Sequence, residues 1–153
     1  MSFKWIARLV GQEESISDKD RSAELNRAVA VLMLEVAQSD FFESEEETTA
    51  LLASLSEHIQ AGKQTADELL AAARTDKSNS AGLYQFTRLA CTEMSIEERC
   101  SLVEQLWQIA FADGVIDKYE EAAIRKMSDL LYVPHGEFIK AKLRAEKMAE
   151  KTT

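Results

Sequence analysis

Trp107-Gln-Ile-Ala-Phe-Ala-Asp113-Gly-Val-Ile-Asp117-Lys-Tyr-Glu120 restates a pattern met 73 positions earlier, in Leu34-Glu-Val-Ala-Gln-Ser-Asp40-Phe-Phe-Glu-Ser44-Glu-Glu-Glu47. In both stretches an apolar helical run meets an Asp, then a short turn, then a helix-capping residue, then a Glu three further on. Val36 aligns with Ile109, Ala37 with Ala110, Asp40 with Asp113, Ser44 with Asp117, Glu47 with Glu120 and Leu51 with Ile124. Each unit reads as a helix–turn–helix that cannot bury its own apolar faces, and packing two of them together solves that as helical bundles do. The expectation is an all-α fold, a single compact bundle of seven to eight helices with an internal pseudo-two-fold helix-turn-helix repeat.

Outward from the repeat, helical periodicity continues in both directions. Leu25, Ala28, Val29, Leu32, Met33 and Val36 keep the i, i+3, i+4, i+7 spacing of a helix over about Lys19–Ser39. Val31 and Leu34 widen its apolar surface to most of its sides. Ser44/Glu47, Thr65/Glu68, Ser95/Glu98 and Asp117/Glu120 each read as a capping box that opens a helix. Gly62 is the stop expected for the helix opened at Ser44, and Leu69, Leu70 and Ala73 form the inner side of the short helix after it. The polar run Thr75–Ser80 reads as a turn or loop, before a helix carrying Leu83, Phe86, Leu89 and Ala90. The helix opened at Ser95 places Leu102, Val103, Leu106, Ile109 and Ala110 inward, and the next one Ala123, Ile124, Met127, Leu130 and Leu131. Pro134 marks a break or the first turn of the last helix, about Gly136–Ala149, with Phe138, Ile139 and Leu143 inward. Ahead of all these, residues 2–11 read as a short amphipathic helix with Phe3, Ile6 and Val10 on one face, and polar Gln12–Asp18 as a linker. The division is thus residues 1–18, helix and linker, and residues 19–150, the helical domain.

The totals agree with one domain: 153 residues, 46% apolar, one Pro and five Gly. With 27 Asp and Glu against 18 Lys and Arg the net charge is −9, which repels phosphate backbones and argues against a nucleic-acid partner. Cys91 and Cys100 have no metal or redox spacing and read as two buried free thiols of a reducing compartment. No stretch approaches 18 consecutive apolar residues, and no continuous apolar core of a signal peptide is present, so the expected location is cytoplasmic with no membrane span.

Two readings of the acidic turns stand side by side. In one, Asp113, Asp117 and Glu120 converge across the turn that Gly114 permits, with Asp40 and Glu47 as a weaker set, and their oxygens suit a hard cation, Ca²⁺, Mg²⁺ or Mn²⁺. In the other, Ser44/Glu47 and Asp117/Glu120 are helix caps that need no metal. An EF-hand is excluded, because with Glu120 at its twelfth position the first and third would be Ile109 and Phe111. His58 and His135 lack a ligand-spaced partner, and no Ser–His–Asp order or Gly-rich phosphate loop is present.

The segment Ala112-Asp113-Gly114-Val115-Ile116-Asp117-Lys118-Tyr119-Glu120, set between an apolar helix and Ile124…Leu130-Leu131, resembles the signature of the tellurite-resistance TerB-like family. That family also includes the N-terminal domain of DjlA-type membrane co-chaperones, and the resemblance covers roughly residues 20–148. It implies an all-helical domain whose acidic residues bind a divalent metal, carried here by Asp113, Asp117 and Glu120, and by Asp40 and Glu47. It further implies association with stress-response operons and membrane-linked assemblies, without a defined catalytic reaction. The chain departs from the pattern at Phe41 and Ser44. The resulting expectation is a non-enzymatic interaction module with a cation on its acidic face. Against it stand a metal-free adaptor that meets an unknown protein partner and, further off, a metal-dependent hydrolase.

Overall fold

The computed structural model describes residues 14–39, 43–58 and 65–151, with backbone alone at 14–21, His58 and Asp113. Among these residues there are seven α-helices and no strand: α1 Glu14–Ala37, α2 Glu45–His58, α3 Ala66–Asn79, α4 Tyr84–Glu93, α5 Ile96–Ala110, α6 Lys118–Leu130 and α7 His135–Lys151. A 3₁₀ turn, Phe111–Asp113, follows α5 directly.

Four capping boxes set the helix starts. Thr65 Oγ1 accepts from the Glu68 amide at 3.2 Å, and Ser95 Oγ from that of Glu98 at 3.1 Å, while each glutamate reaches back to its cap amide. Ser44/Glu47 and Asp117/Glu120 make the same reciprocal pairs at the starts of α2 and α6. Such a cap contributes about 1 kcal/mol by satisfying donors that a helix start leaves open. At the far end of α6 the Val133 amide donates to the Ser128 carbonyl at 3.0 Å and the Tyr132 amide to Asp129 at 3.1 Å, a Schellman ending. It holds Tyr132 at φ 55°, a left-handed conformation that glycine adopts without the steric cost borne by a side chain.

The second half of α1 is the axis of the molecule. From Ala28 to Ala37 every residue except Glu35 is buried, because α2, α3, α4, α5 and α6 all pack against this helix. That is the condition under which a helix is apolar on all sides. α7 lies on α5 instead, and the two run in the same direction, since Glu104 meets Arg144 and Gln108 meets Met148 at one constant offset. Ala141 and Ala145, both buried, allow the close approach. Trp107 is wholly buried there, its ring centroid 5.4 Å from that of Phe138 and 6.1 Å from that of Phe111.

The structure corrects the sequence reading in four places. Helix α1 begins at Glu14, inside the stretch expected to be a linker. Helix α3 continues through Thr75 to Asn79, where a loop was expected, because its polar side chains are held from neighbouring elements. Arg74 grips Glu43 with two nitrogens at 2.9 and 3.0 Å, Asp76 is gripped by Arg27, and Lys77 reaches Gln38 at 2.8 Å. Ile139 and Leu143 face outward, 37% and 55% exposed, and the inner side of α7 is Phe138, Ala141 and Ala145. Cys91 and Cys100 are free and half-buried rather than buried. The expected helix at residues 2–11 and the expected stop at Gly62 lie outside the described residues.

Candidate functional site

Among the described residues, Glu47 and Glu120 are the two carboxylates that the fold takes out of water, each 2% exposed. Each sits at the third position of its helix, so its own capping box fixes one oxygen. Glu47 Oε1 accepts from the Ser44 amide at 3.3 Å and from the Ser44 hydroxyl at 3.0 Å. Glu120 Oε1 accepts from the Asp117 amide at 3.1 Å, and the Glu120 amide donates to Asp117 Oδ1 at 2.8 Å. The other two oxygens, Glu47 Oε2 and Glu120 Oε2, are closed to solvent and have no donor.

These orphans belong to one pair. The Glu120 carboxyl is pushed from the ordinary 4.5 up to about 9, first by burial and then by its side-chain hydrogen bond with Glu47. The Asp117 amide opposes the shift, while the negative charges of Glu47 and Asp117 add to it. Two carboxyl groups this close cannot both be charged in a dry site. A single proton on Glu120, donated to Glu47, resolves the conflict between the two charges. A cation between them is the other way to do so, since a buried anionic oxygen must be protonated, hydrogen-bonded or coordinated.

The surroundings follow from the same elements. The 3₁₀ turn that carries Asp113 packs against α2, the helix of Glu47, and Gly114 closes it at φ 86° with its amide on the Phe111 carbonyl at 2.9 Å. Val115 and Tyr119 are exposed beside this turn, 69% and 51%. On the other flank Glu43 anchors the chain just before α2. Its carboxyl is held below the usual range, chiefly by Arg74, with help from the Thr48 hydroxyl and Gln38.

Of the five residues expected at a site, the structure brings Glu47 and Glu120 together and places Asp117 one capping box away. Asp40 and the side chain of Asp113 lie outside the described residues. Among those described, no group of three or more His, Cys, Asp or Glu stands where it could hold a metal ion. Glu43 escaped the sequence reading because its partner Arg74 is 31 positions away, beyond any local pattern.

A small all-helical domain with two capped, buried glutamates paired at the starts of two helices is the class that fold and site define. The family model for tellurite resistance protein TerB matches residues 26–143, and the chain belongs to that family. No curated protein and no solved structure matches it. Among the described residues no helix is long and apolar enough to cross a membrane.

Proposed function

We propose that the protein is a non-enzymatic TerB-type interaction module that holds one divalent cation at the junction of α2 and α6. The observation that carries this reading is the pair of buried, donor-less oxygens, Glu47 Oε2 and Glu120 Oε2. All-oxygen donors fit Ca²⁺, Mg²⁺ or Mn²⁺, and Asp113, Asp117 and Asp40 are the residues that would complete the set. The ion would take the place of the proton and join the starts of two helices. The burial also supports a role without catalysis, since a substrate cannot reach oxygens closed to solvent. The same reading takes the α1–α2 and α5–α6 units as copies of one hairpin, which the matched capping boxes support. It gives the acidic exterior, in the cytoplasm, a basic protein partner that includes membrane-associated assemblies.

Calorimetric titration with calcium, magnesium and manganese after chelator treatment tests it. Saturable heat is expected, accompanied by proton release because a ligand carboxyl must be deprotonated. It should be lost in Glu120→Gln and weakened in Asp113→Asn. Absence of heat with all three ions would sink the cation. A metal-free adaptor would then stand, and its favouring observation is that both glutamates complete capping boxes, which require no ion.

A further inference from the structure

We infer that Arg74 is a positioning residue for the glutamate pair: from α3 it grips Glu43, and through Glu43 it holds the start of α2 so that Glu47 stands against Glu120. Glu43 has four donors on its two oxygens. Arg74 gives two of them, Nη1 to Oε1 at 3.0 Å and Nη2 to Oε2 at 2.9 Å. Gln38 Nε2 donates to Oε1 at 3.2 Å, and the Thr48 hydroxyl donates to Oε2. That fills the lone-pair sites of a carboxylate, so Glu43 is an anchor with nothing left for an ion. Glu43 and Thr48 bracket the Ser44–Glu47 box, within which Ser44 gives Glu47 Oε1 an amide and a hydroxyl. The end of α1 is tied to the same helix, because Lys77 Nζ donates to Gln38 Oε1 at 2.8 Å and meets Glu35 at 3.4 Å.

The two members of the pair are therefore held by different physics. At the same offset of 73, Glu43 corresponds to Ile116 and Gln38 to Phe111. Both of these are half-buried and packed against the core, so the Asp117–Glu120 box is seated by apolar contact. The Ser44–Glu47 box is seated instead by an arginine–carboxylate fork, whose two parallel bonds fix direction as well as distance. The side chain of Glu43 is 14% exposed and that of Arg74 42%, so the carboxylate is withdrawn from water and the arginine reaches it from outside. One accessible side chain on α3 thus governs Glu47 and leaves the box of Glu120 alone. The inference deepens the cation reading proposed above and rests on it. Residues that orient a ligating group without touching the ion change affinity by roughly 10–100-fold.

The test titrates calcium, magnesium and manganese in turn, by calorimetry, into chelator-treated wild type, Arg74→Ala and Arg74→Lys. For the ion that wild type binds tightest, Arg74→Ala should weaken binding about tenfold or more. Arg74→Lys, which keeps the charge but loses the fork, should recover part of that loss. The sign separates positioning from charge, since deleting a nearby positive charge would by itself tighten a cation site. Amide exchange at Leu69, Leu70 and Ala73 checks that α3 stays folded in both variants. Equal or tighter binding by Arg74→Ala would overturn the inference and leave the cation reading standing. Weaker binding accompanied by lost protection at those three amides would also overturn it, because the loss then belongs to unfolding. No heat from wild type with any of the ions would overturn both, so the two failures are told apart by wild type alone.

Discussion

Glu120 is the residue whose chemistry is most displaced by the fold, and its proton has a thermodynamic consequence. Between pH 4.5 and about 9 the folded chain keeps this proton while the unfolded chain has released it. Folding in that window takes up a proton, so stability falls as pH rises, by at most about 1.4 kcal/mol per pH unit for one group. Glu120→Gln replaces the protonated acid by an amide that also donates to Glu47, and should lose this slope. Urea unfolding of chelator-treated protein across the interval checks it, and equal slopes in the two proteins would place the proton elsewhere. Asp117 is a separate matter, because its oxygen accepts the Glu120 amide. Asp117→Asn should leave the fold near wild-type stability and Asp117→Ala should cost about 1 kcal/mol, read from thermal melts. The pairing of the two glutamates was legible in advance only as matched positions 73 apart. That they are buried against each other depends on the long-range packing that brings the starts of α2 and α6 together, and no residue near either one encodes that.

Helix α3 shows at the next scale where local reading ends. Its capping box at Thr65 and its inner residues Leu69, Leu70 and Ala73 were readable, since cap and stripe are local features. Its last turn and a half, Thr75 to Asn79, has no apolar residue and was read as part of a loop running to Ser80. What keeps it helical is two ion pairs and a hydrogen bond to residues 31 to 49 positions away. The outer face of α7 was misread for the converse reason: Ile139 and Leu143 have the right spacing for a core, but the buried pair Ala141 and Ala145 lets α5 approach from the other side. Asp76→Ala should therefore fray the end of α3 selectively. Amides of Lys77 to Asn79 should exchange faster while those of Leu69 and Leu70 keep their protection, and the global cost should stay within about 1 kcal/mol because the pair is largely exposed.

Over the whole molecule, a cation that binds only the folded chain adds stability by mass action, about 2.7 kcal/mol at a hundredfold excess over Kd. For a domain of this size that raises Tm by roughly 5–10 °C. Scanning calorimetry of wild type and Glu47→Gln with and without the ion reads it, and an equal rise in both would separate the ion from the glutamate pair. The arrangement around α1 has a consequence for synthesis. The helix that every partner must cover is the first of the seven to leave the ribosome, whereas α5 and α6, which complete its cover, emerge some 60 to 100 residues later. At about 5–20 residues per second that leaves Ala28–Ala37 without its native cover for several seconds to some twenty seconds. During that interval the nascent chain presents an apolar rod broken only by Glu35, so its yield in the cell depends on translation speed and on holdase capacity as well as on the stability of the finished fold.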